Sequence, residues 1–262
     1  MNRRDLLTGL GGVTALGLGG LLRPGAARAS AECALEGPSV PAVTGPFPPI
    51  DFLPTLGSRA NPGARRLVGE NDMDLATLEG AASAPKGQIV RVMGQVITAG
   101  CVPVVGAVVQ IWQADAAGHY NHENERGSVT ADDLDPHFGY WGSTLTDGEG
   151  RFQVRTIVPG AYPAGGTWWR PPHLHWRLKA DGLPEVITQS YFDGDALEDA
   201  RAIRKLNRKD LILNLQSGFT EGFDGEALAR ARQRALQELV VGFAAGATAA
   251  EPPTGSITFR VG

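Results

Sequence analysis

Cysteine is scarce in this chain: 262 residues include two, Cys33 and Cys101. Two thiols exclude a disulfide-dense scaffold and a thiolate zinc cluster. Positive charge is also in short supply, with 24 Lys and Arg against 28 Asp and Glu and a net charge of −4. That balance offers no general footprint for nucleic acid, and no such partner is expected. After residue 31 no apolar run is long enough to suggest a membrane span in the mature protein. What the chain does have is 35 glycines and 18 prolines, the punctuation of many turns between short strands. With 42% hydrophobic residues it can bury one sizeable core.

The first 31 residues read as a targeting segment and stand apart from the fold. Arg3 and Arg4 precede a run from Leu6 to Leu22 that is interrupted by Gly9, Gly11, Gly12, Gly17, Gly19 and Gly20. So many glycines keep its hydrophobicity below that of a lipid-spanning helix. Ala29-Ser30-Ala31 has the small-x-small pattern of a signal-peptidase site, with cleavage expected after Ala31 and Ala29 as the near alternative. The paired arginines resemble a bacterial twin-arginine export signal, which ranks above a general secretory signal or a retained anchor. A periplasmic or extracellular location is expected. Losing this segment removes four arginines and one aspartate, taking the net charge from −4 to −7. An exported location also lets Cys33 and Cys101 pair, tying the mature N-terminus to the first strands. Two unpaired thiols are the alternative.

Residues 32–86, rich in Pro, Gly and Ala with little periodicity, read as an extended arm. From Gly87 the texture changes. Gln88–Thr98, Gly106–Asp115, Gly150–Val158, His173–Ala180 and Glu185–Phe192 are β-rich runs, separated by turn signals such as Asp147-Gly148 and Asp181-Gly182. Leu211–Phe219 and Ser256–Val261 are further strand candidates. This spacing predicts an all-β fold, a β-sandwich over residues 87–262. Short helices are expected at Ala196–Lys205 and at Glu226–Phe243. The second places Leu228, Ala231, Ala235, Leu236, Leu239 and Phe243 at helical spacing, a stripe read as core packing.

Two of the five histidines form His173-Leu174-His175. On a strand, residues i and i+2 face one side, so both imidazoles can reach one metal. Two polar residues on a solvated sheet face are the bland alternative. Arg170-Pro171-Pro172 leads stiffly into the pair, Pro159-Gly160-Ala161 places Tyr162 at a sharp turn, and Trp112–Tyr120 ends a strand with another tyrosine. No Asp or Glu stands beside the histidines to complete a two-histidine, one-carboxylate triad. His119, His122 and His137 read as loop or supporting residues. Tyr140, Trp141, Trp168 and Trp169 are candidates for an aromatic pocket wall.

Several motifs occur in a fixed order: Gly106–Asp115, Thr146-Asp147 to Gly150-Arg151-Phe152, Thr156–Pro163, Arg170–His175 and Thr188–Asp195. In this order the chain resembles the intradiol ring-cleaving dioxygenases, of the protocatechuate 3,4-dioxygenase type, from about Thr44-Gly45-Pro46-Phe47 to Asp195. The resemblance implies a transthyretin-like sandwich holding one non-haem iron(III) per chain through Tyr120, Tyr162, His173 and His175. In it Tyr162 and His175 are axial, Tyr120 and His173 equatorial, and Tyr162 takes a proton from the substrate. Arg170 and Gln189 fall where the family contacts substrate, and Tyr140 and Trp141 join them as pocket candidates. The implied reaction cleaves a catecholic ring with O2 between its two hydroxyl-bearing carbons, giving a cis,cis-muconate-type product. Two departures bear on the pocket: the Tyr162–His173 stretch is shorter than the family's, and Ala164 stands where an aromatic is common. A non-catalytic transthyretin-like binding module is the alternative function. Monomer, homo-oligomer and hetero-oligomer are all left open.

Phenolate ligands carry their own chemical message. A tyrosine with a free pKa near 10 stays deprotonated at neutral pH only beside a strong Lewis acid, which iron(III) is.

Overall fold

Strand β2 (Ile89–Thr98) shows how the pattern becomes structure: Val90, Val92 and Val96 alternate inward while Met93 is exposed, the two-residue period of a half-buried strand. The computed structural model describes residues 39–42, 45, 72–78, 80–122, 130–216 and 224–262. The expected signal, Cys33 and most of the expected arm lie outside the described residues.

The remaining strands are β1 (Asp72–Asp74), β3 (Val108–Trp112), β4 (Trp141–Leu145), β5 (Arg151–Ile157), β6 (Tyr162–Gly165), β7 (Trp168–Arg170), β8 (His173–Lys179), β9 (Val186–Asp193), β10 (Val240–Ala244) and β11 (Thr254–Val261). Among the described residues eight of them join β2 in one nine-stranded sheet in the order β1-β5-β2-β11-β10-β9-β8-β3-β4, and β6-β7 is a separate hairpin. The sheet folds back on itself. Its ends meet where Gly139 N–H donates to Leu75 O at 2.8 Å, so the expected sandwich is a nearly closed one. Between its walls Trp176, Phe152 and Phe259 pack ring to ring, each burial contributing on the order of 2–3 kcal/mol.

The two halves differ in a way that matters for the site. In β5 and β11 buried and open positions alternate, whereas β3, β4, β8 and β9 are buried almost throughout. Their outer face is covered. Part of the arm crosses it, with Ala42 N–H donating to Ile187 O and Thr188 Oγ1–H to Val40 O. Helix α2 (Gly225–Glu238) caps another part: its Ala231 and Ala235, with Leu239 just past its end, pack against Val40, Tyr191, Leu213 and Leu215.

Three expectations about elements are corrected. The second helix stops at Glu238, because Val240-Val241 continue as β10, paired to β9 and β11, and Phe243 joins the main core. Leu236 is exposed rather than part of the buried stripe. Leu211–Leu215 is a turn, not a strand. Asp210 Oδ1 accepts Leu213 N–H and Arg232 donates to Asn214 O and Leu215 O, taking up backbone groups a ladder would need. Residues 217–219 of that run lie outside the described residues. The first helix, α1 (Ala200–Asn207), forms close to its expected place. Among the described residues no helix is long and apolar enough to cross a membrane.

Candidate functional site

On β8, His173 and His175 point to the covered outer face and are 2% and 1% exposed. A solvated sheet face is thereby excluded. From β3, Trp112 lies directly opposite His175 and stacks on its imidazole, centroids 4.7 Å apart at 12°. Gly45 of the arm lies against the same ring.

Beyond β3 the chain wraps around buried Asp115. Its Oδ1 accepts the N–H groups of Ala117 and His119 at 2.9 and 3.0 Å, and its Oδ2 accepts Tyr140 Oη–H at 3.0 Å and Asp135 N–H at 3.3 Å. Four donors satisfy the carboxylate and fix the loop that delivers Tyr120. A second loop, Pro159-Gly160-Ala161, delivers Tyr162 at the start of β6, and Gly160 N–H donates to Asp115 O at 2.8 Å. A Cβ on Gly160 would lie 2.4 Å from Gly118 N, and one on Gly118 (φ +90°) 2.8 Å from Ala161 O. Only glycine at both positions lets the two tyrosine loops touch.

The loops and β8 bring four side chains together. Tyr120 Oη is 3.3 Å from His173 Nε2 and 3.1 Å from His175 Nε2; Tyr162 Oη is 3.4 Å from His173 Nε2; the two Nε2 atoms are 3.1 Å apart. His173 Nδ1–H donates to Pro171 O at 2.7 Å, which puts its proton on Nδ1 and its lone pair on Nε2, toward the cluster. Burial, then the nearby Arg170 charge, holds both imidazoles well below the ordinary histidine pKa and hence neutral. Among the described residues, His175 Nδ1 is buried without a hydrogen-bond partner. Two phenol oxygens and two neutral imidazole nitrogens are crowded together with too few protons to share, a donor set suited to a hard cation. Among the described residues no group of three or more His, Cys, Asp or Glu offers another centre.

Arg170, at the end of β7, is 2% exposed. Its Nη2 donates to Gln189 Oε1 at 2.6 Å and Tyr191 Oη at 3.1 Å, and its Nε to Asp210 Oδ2 at 2.8 Å. Burial opposes the charge, but the oxygens of Tyr191, Asp210, Tyr162 and Tyr120 outweigh it and raise the guanidinium above its ordinary pKa. Tyr191 and Asp210 are site residues that the motifs alone do not single out. A signal for Tyr191 exists, two residues beyond Gln189 on one strand face; Asp210 has none, because it arrives from a turn.

A family model described as Dioxygenase (Dioxygenase_C) matches residues 63–230. The chain belongs to the intradiol dioxygenase family. It is 40% identical over 133 residues to the protocatechuate 3,4-dioxygenase beta chain of Burkholderia cepacia, covering 50% of this chain and 55% of that one. Over 136 residues it is 37% identical to 6-chlorohydroxyquinol 1,2-dioxygenase of Cupriavidus pinatubonensis, covering 47% and 46%. The chain thus spans about half the length of the curated relatives it matches. The crystal structure of catechol 1,2-dioxygenase from Pseudomonas arvilla C-1 superposes with a TM-score of 0.52 at 20% identity, over 90% of this chain and 66% of that one, which shows a shared fold.

In this intradiol dioxygenase fold the aromatic candidates separate. Tyr140 is buried behind the Tyr120 loop, its hydroxyl committed to Asp115 and to the N–H of Asp135; burial and then Asp115 push its pKa up. It braces the loop instead of lining a pocket. Trp141, also buried, faces Trp112 across β3-β4, supporting the residue that stacks on His175. Trp168 packs over the Arg170 guanidinium, 5.6 Å from its Cζ, while Trp169 is exposed. His119 contributes its backbone N–H to Asp115.

Proposed function

We propose that this chain is a non-haem iron(III) intradiol dioxygenase, cleaving a catecholic ring with O2 between its hydroxyl-bearing carbons to a cis,cis-muconate-type product. The observation that carries the reading is the convergence of Tyr120 Oη, Tyr162 Oη, His173 Nε2 and His175 Nε2, linked by four contacts of 3.1–3.4 Å. Those four residues would hold the iron. Bound there, iron(III) would keep the phenols deprotonated and draw electron density from a chelated catechol, opening its ring to oxygen.

The chain's own groups supply the rest. Tyr162 is the less buried of the two tyrosines and is the phenolate suited to accept a proton from an incoming catechol hydroxyl. Arg170, held in its charged form, opposes negative charge that develops on the ring as oxygen attacks. Gln189, bonded to Arg170, shares the substrate side of the site. A plain binding module has no use for this buried donor set. The relatives' names point to single-ring catechols as substrates, with protocatechuate favoured by the beta-chain similarity.

Export is the second part of the proposal, resting on Arg3, Arg4 and Ala29-Ser30-Ala31. The disulfide-bonded state of Cys101 supports an oxidising compartment.

Oxygen uptake by the iron-loaded protein on catechol, protocatechuate, hydroxyquinol and bulkier diols tests the activity. Stoichiometric uptake with a muconate-type product is expected for at least one; no uptake on any of them rejects the reading.

A further inference from the structure

The carboxylate of Asp210 reaches Arg170 from 40 residues further along the chain and is fully buried. Its two oxygens have separate tasks. Oδ1 accepts Leu213 N–H of its own turn at 2.8 Å and lies 3.3 Å from Tyr191 Oη. Oδ2 accepts Arg170 Nε–H at 2.8 Å and Trp168 Nε1–H at 3.3 Å. One oxygen is tied to the turn, and the other grips the arginine. Beside Nε on the same side of the guanidinium, Nη2 is held by Gln189 and Tyr191, and the Trp168 ring lies over the group. Nη1 takes part in none of these bonds.

We propose that Asp210 is a positioning residue for Arg170, latching Nε so that the guanidinium is fixed in one orientation and Nη1 is left for the substrate. The inference rests on the intradiol reading of the site. A cation that must meet charge appearing only in the transition state acts through preorganisation, because an arginine free to rotate pays for its ordering at the moment of reaction. A charge-damping role for Asp210 makes the opposite forecast: removing the carboxylate would strengthen the cation and raise the rate.

Asp210→Asn separates the two. An amide offers one acceptor and one donor where the carboxylate offers two acceptors, so it can serve the turn or the arginine, not both. In the iron-loaded protein, D210N should keep wild-type iron content, the visible absorption and its shift on adding catechol. Its kcat should fall on the order of 10- to 100-fold, the cost of a misplacement of about 1 Å, with KM little changed. The double variant R170Q/D210N should be no slower than R170Q, since Asp210 acts through Arg170. Asp210→Glu, which keeps charge and both acceptors but shifts them by a methylene, should also slow turnover.

A wild-type or raised kcat in D210N, or losses that multiply in the double variant, would overturn the proposal. A measurement independent of catalysis runs alongside it. In metal-free, 15N-arginine-labelled protein the Arg170 Nε–H should exchange slowly with water and at least tenfold faster in D210N; equal rates also overturn the positioning role. Absence of ring cleavage in the wild type would reject the functional reading alone, and the exchange rates would still decide about Asp210.

Discussion

Trp112 and His175 are cross-strand partners whose rings lie parallel at 4.7 Å, so a core indole sets the plane of a candidate metal ligand. The stack restricts where Nε2 can point, and Gly45 lies against the same imidazole. Trp112→Phe, which keeps a stacking face, should retain most iron. Trp112→Leu should lose it, with iron affinity down about 10-fold or more and stability down by about 3 kcal/mol from the emptied volume. Metal titration and thermal unfolding of the two variants check this; equal affinities would show the stack to be irrelevant.

Iron bound by Tyr120 and Tyr162 should colour the protein, because phenolate-to-iron(III) charge transfer absorbs visible light. One iron per chain is expected by metal analysis. Tyr120→Phe should weaken the absorption and the affinity together. A colourless protein with stoichiometric zinc, after growth in iron-replete medium, would sink the assignment.

Arg170→Gln should keep the iron colour and its response to catechol. Turnover should fall by about 10²-fold or more, the scale seen when one transition-state electrostatic donor is lost. Steady-state kinetics beside the visible spectrum decides: intact colour with near-normal turnover removes Arg170 from the reaction.

Gly160→Ala tests the meeting of the two tyrosine loops. The added Cβ would lie 2.4 Å from Gly118 N and 2.6 Å from Ala116 O, both backbone atoms that cannot swing aside. The loops must separate, at a cost of about 1–3 kcal/mol, and iron retention should drop with the melting temperature. An unchanged melting temperature and iron content would mean that the loops adjust freely.

For export, replacing Arg3 and Arg4 together by lysine should trap the precursor in the cytoplasm. Fractionation that finds normal export of this variant would point to the general secretory route.

Periodicity made the sheet legible wherever one strand face meets the core and the other meets water. β2, β5 and β11 fall within two residues of their expected limits. It failed at β4, which is buried almost throughout, and at β6 and β7, which are too short to show alternation. The Glu226–Phe243 stripe misled for a related reason, since helix and strand each bury apolar residues and only pairing with β9 and β11 makes Val240–Ala244 a strand.

The sequence by itself determined the donor types, the two-residue spacing that sends His173 and His175 to one face, and the turns that end in Tyr120 and Tyr162. Those are local properties, decided by strand geometry and by glycine and proline. Tertiary structure alone decided that the four side chains meet, that the histidines are buried and neutral, and that Tyr140 braces a loop. It alone brought Asp210 to Arg170, 40 residues apart. Contacts of that range depend on how the sheet closes and on what covers its outer face, and no local pattern encodes the closure.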